Sequence, residues 1–345
     1  MPVPRRIRAG LLVIALVALP AARSTAQTVE SLLPPSTPPD YRGRKIVIEF
    51  TSRGPRVTSL SVLCQPGGRE RREVYATHSV QVLDGEYSWQ YFPERDIVLK
   101  RPARAEGEEI LRPEQLLRAT GSYTVQVVPS GLIAGRRSWA IEFTPRVVGS
   151  RPRRVVWIDA ATALILRTEV YGTNNRLAWL SAFEELEYRP LFDASAFMRP
   201  GPPDVTVVEA EAEPCLEPAA AERIAGLPIA LPAYIPEGFD RQCIRARRRG
   251  DYGEIQVVFG DGLSLLSLFE STSFREPAVD KGSASSVAVG HATGRWHDLG
   301  LVTGISWRAS WGHLALLGEL SPSEMHKVAG SVPERPELSA PPTRP

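Results

Sequence analysis

The residues Gly260, Asp261 and Gly262 follow the apolar run IQVVF and have the residue types of a loop that could bind phosphate. Such a loop needs a helix directly after it, because the amide groups at the helix N-terminus face the anion. The next residues, LSLLSLFE, instead alternate with the period of a β-strand. The two glycines therefore predict a hairpin turn, in which glycine supplies positive φ, and not a phosphate site.

Patterns typical of catalytic and metal sites are absent from the sequence. It has no G-x-S-x-G turn, no H-E-x-x-H helix and no G-x-x-x-x-G-K-[ST] loop. His291, His297 and His313 lack the i,i+4 spacing of a helical metal site, and no C-x-x-C pair occurs. We expect a binding protein without a cofactor or metal, and not an enzyme, with a hydrolase as the class to test against.

Arginines are grouped at three places along the chain. Guanidinium groups form paired hydrogen bonds with carboxylates and phosphates, so these groups can bind an acidic peptide or a lipid phosphate. Solvated strand ends are the ordinary alternative. The groups are Arg69, Arg71 and Arg72; Arg151, Arg153 and Arg154; and Arg245, Arg247, Arg248 and Arg249. The candidates for partner or anion binding are Arg153, Arg154, Arg245, Arg247 and Arg248.

Large aromatic residues recur on the strand-like segments of the N-terminal half. In YSWQY, the period of a strand places Tyr87, Trp89 and Tyr91 on one face. A sheet with so many rings must cover them with a helix, a second layer or a ligand. They form either ordinary core or an apolar cavity for a lipid or peptide. The cavity candidates are Trp89, Tyr91, Trp139, Phe143, Trp157, Trp179 and Phe183.

The first 26 residues have the three parts of a secretory signal peptide. A basic start, RRIR, precedes the apolar stretch Leu11–Leu19, and STA at 24–26 is a small-residue cleavage site. The apolar stretch is too short to span a bilayer, which takes about 20 residues. Cleavage removes four arginines and no acidic residue, so the formal charge falls from +2 to −2. This charge does not favour nucleic acid as a partner.

The chain has three cysteines, Cys64, Cys215 and Cys243. Export permits disulfide bonds. Cys215 and Cys243 flank one proline-rich segment and form the candidate pair, which leaves Cys64 as a buried thiol in a strand. Three free, buried cysteines are the alternative.

Turn residues divide the chain into short strand-like segments, which is typical of an antiparallel meander. The sequence predicts helices at Arg112–Gly121, in PAAAERIAG, and after Ser321, where Glu324 completes a capping box. VVWIDAATALILRTEVYG predicts a hairpin that turns at Asp159–Thr162. The fold class is therefore mainly β (α+β), with one large curved antiparallel sheet in the first part.

A shift in composition to Pro, Ala and Glu separates two predicted domains. The second is expected to be a small antiparallel sheet with a terminal helix. We expect a signal peptide at 1–26, a flexible leader at 27–39, an N-terminal domain at 40–197, a linker at 198–226, a C-terminal domain at 227–332 and a disordered tail at 333–345.

Several segments of the sequence resemble the MucB/RseB family. LPAYIPEGF, VVFGDGLSLLSLFES and LLGELSPSEMHKVAGSV resemble its C-terminal domain. YRGRKIVIEF through FEELEYRP, with DGEYSWQYFPER and VVWIDAATALILRTEVYG, is similar to its N-terminal domain, which in turn is similar to lipoprotein carriers of the LolA/LolB fold. The resemblance covers most of the mature chain. It implies an open, curved antiparallel half-barrel with helices across its concave face.

The resemblance implies a regulatory protein, and the family has no catalytic residues that could be assigned to this chain. Proteins of the family lie in the periplasm, bind the exported part of a transmembrane anti-sigma factor and shield it from the protease that starts the envelope-stress response. Lipid or lipopolysaccharide-like ligands release them. An anti-sigma factor is therefore the expected partner and the periplasm the expected location, with no membrane span after cleavage. A periplasmic carrier of lipid or lipoprotein is the alternative. Cys215 and Cys243 are not part of the family signature.

Overall fold

The structure is a computed structural model that describes residues 39–334 except 52–53, 66–67, 104–112, 194, 212–213 and 274–283. The predicted signal peptide and most of the predicted leader and tail lie outside the described residues. Across the described ranges, no helix is long and apolar enough to cross a membrane. Strands dominate and form two separate sheets, which confirms the predicted fold class.

The first sheet has twelve strands. They are β1 (Tyr41–Thr51), β2 (Gly54–Gln65), β3 (Arg69–Val74), β4 (Val80–Asp84), β5 (Tyr87–Phe92), β6 (Ile97–Pro102), β7 (Tyr123–Ile133), β8 (Arg136–Pro145), β9 (Arg153–Asp159), β10 (Ile165–Tyr171), β11 (Leu177–Tyr188) and β12 (Thr206–Glu209). Their order is β12-β6-β5-β4-β3-β2-β1-β11-β10-β9-β8-β7. The predicted helix, α1 (Pro113–Ser122), lies between β6 and β7 in the chain.

The first sheet curls around one face, called the concave face here; the other is its convex face. Ala134, at the tip of the β7–β8 hairpin, packs with Tyr41 of β1 and Phe183 of β11, although three strands separate β7 from β11. On the same face, Leu116 of α1 packs with Phe143 of β8. The sheet stays open because β12 and β7 are edge strands, so it is a half-barrel with a helix across its concave face.

Two tight turns of the first sheet follow from their residue types. Ala134 and Gly135 have φ angles of 48° and 74°, as a two-residue type I′ hairpin loop requires. The predicted turn after β9 is also present. There the Asp159 carboxylate accepts a 2.7 Å hydrogen bond from the N–H of Ala161, and Ala163 has φ of 54°. This confirms the β9–β10 hairpin.

The second sheet has seven strands and two helices. The strands are β13 (Asp240–Arg249), β14 (Tyr252–Gly260), β15 (Leu265–Ser271), β16 (Ala284–Val289), β17 (Ala292–Leu299), β18 (Val302–Ala309) and β19 (Gly312–Gly318), and the helices are α2 (Pro218–Ala225) and α3 (Pro322–Gly330). The strand order is β13-β14-β15-β19-β18-β17-β16. Ala221 of α2 and Met325 of α3 pack in one core cluster with Ile255, Leu268 and Leu316 of the strands. The face opposite these helices is called the outer face here.

The Gly-Asp-Gly segment forms the predicted hairpin turn between β14 and β15. The N–H of Asp261 donates to the carbonyl of Ser264 at 3.3 Å. One carboxylate oxygen of Asp261 accepts hydrogen bonds of 3.0 and 2.7 Å from the N–H groups of Leu263 and Ser264. Gly262 has φ of 97°, a region that favours glycine.

Two other local predictions for the C-terminal part are confirmed. The Ser321 hydroxyl accepts a 3.3 Å hydrogen bond from the N–H of Glu324 at the start of α3, as in a capping box. A disulfide joins Cys215 to Cys243. Cys64, in β2, retains its thiol but is half-buried, not buried as predicted.

The predicted linker contains ordered elements that attach it to both sheets. β12 pairs in parallel with β6 of the first sheet. α2 packs on the second sheet, and the N–H of Leu216 donates a 2.8 Å hydrogen bond to the carbonyl of Ile244 in β13. The connection is therefore fixed at two places, while the domain boundaries remain predictions.

Candidate functional site

A buried ion pair joins the two sheets at one end of the concave face. Arg151, between β8 and β9, donates a 2.8 Å hydrogen bond from Nη1 to Oδ2 of Asp261 in the β14–β15 turn. The exposed side-chain fraction is 5% for Arg151 and 0% for Asp261. Nη2 of Arg151 also donates a 2.9 Å bond to the carbonyl of Glu237. Because both charges are buried, loss of either side chain would leave the other uncompensated.

Aromatic rings enclose the Arg151 guanidinium. Its central carbon lies 5.1 Å from the ring centre of Phe239 and 5.9 Å from that of Tyr123. The Tyr123 hydroxyl lies 3.2 Å from the Ser264 hydroxyl. Burial, and then the nearby Asp261 carboxylate, raise the pKa of Tyr123, so this hydroxyl stays protonated. The ring is thus a neutral hydrogen-bonding group between the sheets.

A second ion pair lies beside the first. Arg154 of β9 pairs with Glu319, directly after β19, and both side chains are mostly buried. Burial alone would lower the pKa of Arg154, but the Glu319 carboxylate outweighs this and raises it. Two residues after Glu319, the N–H of Ser321 donates a 2.8 Å bond to the carbonyl of Ser150. Charge pairs and backbone therefore fix the same contact.

Gly262 allows the β14–β15 turn to approach α1. A Cβ atom built there would overlap the carbonyl oxygen of Gln115 and lie 3.0 Å from Cβ of Arg118. Leu263, the next residue, packs into the cluster that holds Leu116 and Phe143. The turn thus covers part of the concave face.

Strand register distributes the predicted cavity residues over both faces of the first sheet. Residues paired across antiparallel strands project from the same face, and successive residues alternate. Phe143 pairs with Arg154, whereas Trp157 pairs with Ala140 and Arg167, so Phe143 and Trp157 project from opposite faces. Following the pairs in the same way places Trp139, Phe143, Trp179 and Phe183 on the concave face, and Trp89, Tyr91 and Trp157 on the convex face.

Each group of rings has contacts within the chain. Phe143 and Phe183 lie in core clusters, and Trp139 packs against the first of these. Trp89 and Tyr91 pack in a cluster with Phe192 and Phe197 from the segment after β11. Trp157 lies under Arg167, 5.1 Å from guanidinium carbon to ring centre, and its indole N–H bonds to Ser130. The seven rings therefore do not line one cavity.

The arginines predicted to bind a partner also lie at different places on the two sheets. Arg153 lies on the convex face, where it pairs with Glu142 at 2.7 Å and stacks 3.9 Å from the Tyr171 ring centre. Arg154 belongs to the second ion pair between the sheets. The contact made by the pairs Arg151–Asp261 and Arg154–Glu319 is called the junction here. Arg248 projects to the helix-covered face of the second sheet, where its side chain lies against Gly226.

Arg245 and Arg247 are the two predicted arginines that the structure brings together. They line a groove of 250 Å³ on the outer face with Glu254, Gln256 and Phe269. Arg247 pairs with Glu254 at 2.6 Å, and Arg245 donates a 3.3 Å hydrogen bond to Gln256. This groove borders β13, an edge strand, and is a candidate surface for a partner.

The described part of the chain shows no constellation suited to a metal. It contains no group of three His, Cys, Asp or Glu side chains placed to hold an ion. Nε2 of His297 lies 3.0 Å from the Ser306 hydroxyl in a buried position. Burial, and then Arg308, lower the pKa of His313.

Of the junction residues, Arg154 was a sequence-based candidate for partner or anion binding, whereas Arg151, Asp261 and Glu319 were not. Arg151 stood in an arginine group considered for anion binding but was not a named candidate, and Asp261 was assigned only to a turn. The sequence signal was the Gly-Asp-Gly triplet, since its second glycine, Gly262, permits both the turn and its close approach to α1. Its partner Arg151 is 110 residues away and carries no local signal.

Comparison with protein families gives one match. Residues 81–200 match the MucB/RseB N-terminal domain. This range covers β5 to β11 and the segment that packs on Trp89 and Tyr91. No curated protein matches the chain.

Two solved structures share this fold over both sheets. A structure of MucB in complex with MucA(peri) has a TM-score of 0.54 and 16% identity, over 87% of this chain and 94% of that chain. The Pseudomonas aeruginosa MucA/MucB complex gives the same values, a TM-score of 0.54, 16% identity, and 87% and 94% coverage. A LolA superfamily protein from Nitrosomonas europaea covers 50% of this chain and 94% of its own, with a TM-score of 0.23 and 13% identity.

Proposed function

We propose that this chain, which carries a MucB/RseB N-terminal domain, is a periplasmic regulator that binds the exported part of an anti-sigma factor. One observation carries the proposal: a single alignment spans both sheets and 94% of a MucB chain crystallised in complex with MucA(peri). The partner of the present chain is then an exported segment of the same kind.

The rigid junction supports this function. A segment that contacts both sheets binds more tightly if the sheets are already fixed, because less conformational freedom is lost on binding. Arg151 and Asp261, with Arg154 and Glu319, provide such a fixed arrangement. The surface offered to the segment is then preformed on both sheets.

Binding can be measured directly with the exported part of the anti-sigma factor encoded in the same genome. Titration calorimetry of the mature chain with that domain should give a one-to-one complex. A domain of unrelated sequence and equal charge is the control. Absence of binding at micromolar concentrations of both proteins would contradict the proposed function.

The finer regulatory step concerns proteolysis. We infer that the bound segment is shielded from the protease that cuts the anti-sigma factor, because a segment held on a folded surface cannot enter a protease cleft. Limited proteolysis of the segment should slow when the mature chain is added, and anionic lipid vesicles should restore the cleavage rate if lipid releases it. Equal cleavage rates with and without the chain would remove this step.

Lipid or lipoprotein carriage is the second candidate, because the concave face has the architecture of a half-barrel with one covering helix. In the structure Leu116, Phe143 and Leu263 occupy part of that face, so an acyl chain would have to displace α1 or the β14–β15 turn. Mass spectrometry of organic extracts from the purified chain separates the candidates: bound lipid without an anti-sigma partner favours carriage. Turnover of ester or peptide substrates would instead indicate an enzyme.

A further inference from the structure

The outer edge of the second sheet is unusually basic. β13 is an edge strand and reads DRQCIRARRR, with five arginines. Arg247, Arg248 and Arg249 are exposed, and Arg245 is half-buried in the groove beside Phe269. Edge strands present unpaired backbone groups to other chains, and charged side chains select which chain can pair.

Strand register sorts these arginines. Arg245, Arg247 and Arg249 pair with Gln256, Glu254 and Tyr252, so the three arginines project from the outer face at every second position. Arg248 projects to the opposite face, which α2 covers. The outer face therefore carries a row of guanidinium groups spaced about 7 Å apart along the strand.

The row has little internal charge compensation. Arg247 pairs with Glu254 at 2.6 Å. Among the described residues, no carboxylate lies within ion-pair distance of Arg245 or Arg249. Nε of Arg245 is buried without a hydrogen-bond partner in that part of the chain. The groove at Phe269 thus combines positive charge with an aromatic surface.

The edge already accepts extended backbone from this chain at one place. The N–H of Leu216 donates a 2.8 Å bond to the carbonyl of Ile244, and the adjacent disulfide between Cys215 and Cys243 holds the segment there. From Arg245 to Arg249, no described residue makes a backbone hydrogen bond to the edge of β13 that faces away from β14. Because the Ile244 carbonyl faces the edge, Ala246 and Arg248, at every second position, also present their backbone groups outward.

We propose that Arg245–Arg249 binds an extended acidic segment that adds to the second sheet as an outer strand. Side chains opposite each other on neighbouring strands lie about 5 Å apart, so acidic residues at every second position would meet Arg245, Arg247 and Arg249. Carboxylates form strong hydrogen bonds with guanidinium groups. The inference rests on the proposed function only in assigning this segment to the anti-sigma factor.

The test uses a defined peptide probe, TVEVEVEVT, and its counterpart TVQVQVQVT, which has the same strand propensity without charge. Fluorescence anisotropy should show at least about tenfold tighter binding of the glutamate peptide to the mature chain. Arg245→Gln/Arg249→Gln should weaken that binding about tenfold, since two charge pairs are lost. The matched control, Arg56→Gln/Arg95→Gln, removes the same charge from exposed positions on the first sheet and should change binding less than about twofold.

Backbone addition has its own readout. Amide hydrogen exchange in Arg245–Arg249 should slow when the glutamate peptide binds, and N-methylation of alternate residues in the peptide should abolish binding. Equal affinity of the glutamate and glutamine peptides, equal weakening by both double variants, or unchanged exchange in β13 would each overturn the inference.

The outcome can be separated from that of the proposed function. If the Arg245→Gln/Arg249→Gln chain binds the whole exported domain with unchanged affinity, the proposed function stands and the edge site falls. If the unaltered chain binds the glutamate peptide at β13 but not the exported domain, the edge site stands and its assignment to an anti-sigma factor falls.

Discussion

Arg151 and Asp261 lie 110 residues apart in the chain, yet their side chains meet at 2.8 Å with exposed fractions of 5% and 0%. Each belongs to a different sheet. The same carboxylate that binds Arg151 also accepts the N–H groups of Leu263 and Ser264, so one side chain shapes a turn and fixes the neighbouring sheet against it.

Arg151→Ala should reduce the free energy of unfolding by about 3–5 kcal/mol, because it leaves the buried Asp261 carboxylate without a positive charge beside it. Urea unfolding followed by circular dichroism measures this loss. The control is Arg153→Ala, whose pair with Glu142 is partly exposed and should contribute less than about 1 kcal/mol. Equal losses for the two variants would show that the buried junction pair contributes no more to stability than the partly exposed pair.

Gly262→Ala should destabilise the chain more than Gly135→Ala. Both glycines have positive φ, 97° and 74°, so both substitutions strain the backbone. At Gly262 the new methyl group would also overlap the carbonyl of Gln115, whereas nothing lies within 4 Å at Gly135. We expect an additional cost of about 1–3 kcal/mol, measured by thermal or urea unfolding. A Gly262 variant as stable as the Gly135 variant would mean that α1 moves away from the new methyl group at no energetic cost.

Loss of the Cys215–Cys243 disulfide should cost about 3.5 kcal/mol, since the bond closes a loop with a sequence separation of 28. Unfolding of the Cys215→Ser/Cys243→Ser chain gives the value. Alkylation of the unfolded, unreduced chain should label only Cys64, and reduction should expose all three thiols. Three labels before reduction would contradict the bond.

Asp159 makes the stability of the first sheet depend on acidity. Burial alone would raise the pKa of Asp159, but hydrogen bonds from Arg136, Ala161 and Tyr188 outweigh it and lower the pKa. Because the folded value lies below the unfolded value of about 3.9, the stabilisation is complete above that pH. It is lost as pH falls through the folded value.

Asp159→Asn tests this dependence. The variant should lose about 2 kcal/mol at pH 7, and its stability should then decline less steeply than that of the unaltered chain as the pH falls below about 4. Urea midpoints at a series of pH values show the difference in slope. Parallel curves would mean that Asp159 is not the titrating group.

Sequence reasoning succeeded where neighbouring residues determine the structure. The turn at Asp159, the cap at Ser321 and the hairpin at Gly262 each depend on a few consecutive residues. The pairing of Cys215 with Cys243 followed from their position around one segment. Such features are encoded locally and do not require the three-dimensional arrangement of the sheets.

The grouping of the aromatic rings could not be obtained in the same way. The face from which Trp157 or Phe143 projects depends on pairing with strands that are distant in the sequence. Register shifts between Arg44 and Lys45, and between Val170 and Tyr171, change the alternation that a sequence pattern assumes. A slip of one residue moves a side chain to the other face.

The double use of the Asp261 carboxylate has an evolutionary consequence. A change at Asp261 alone would disturb its own turn and leave the buried Arg151 without its negative partner. A change at Arg151 alone would leave the buried Asp261 carboxylate without its positive partner. Substitutions at these positions should therefore be inherited together. Related sequences that lack the aspartate should also lack the arginine, with apolar side chains of similar volume in their place, and an alignment rich in single replacements would refute this linkage.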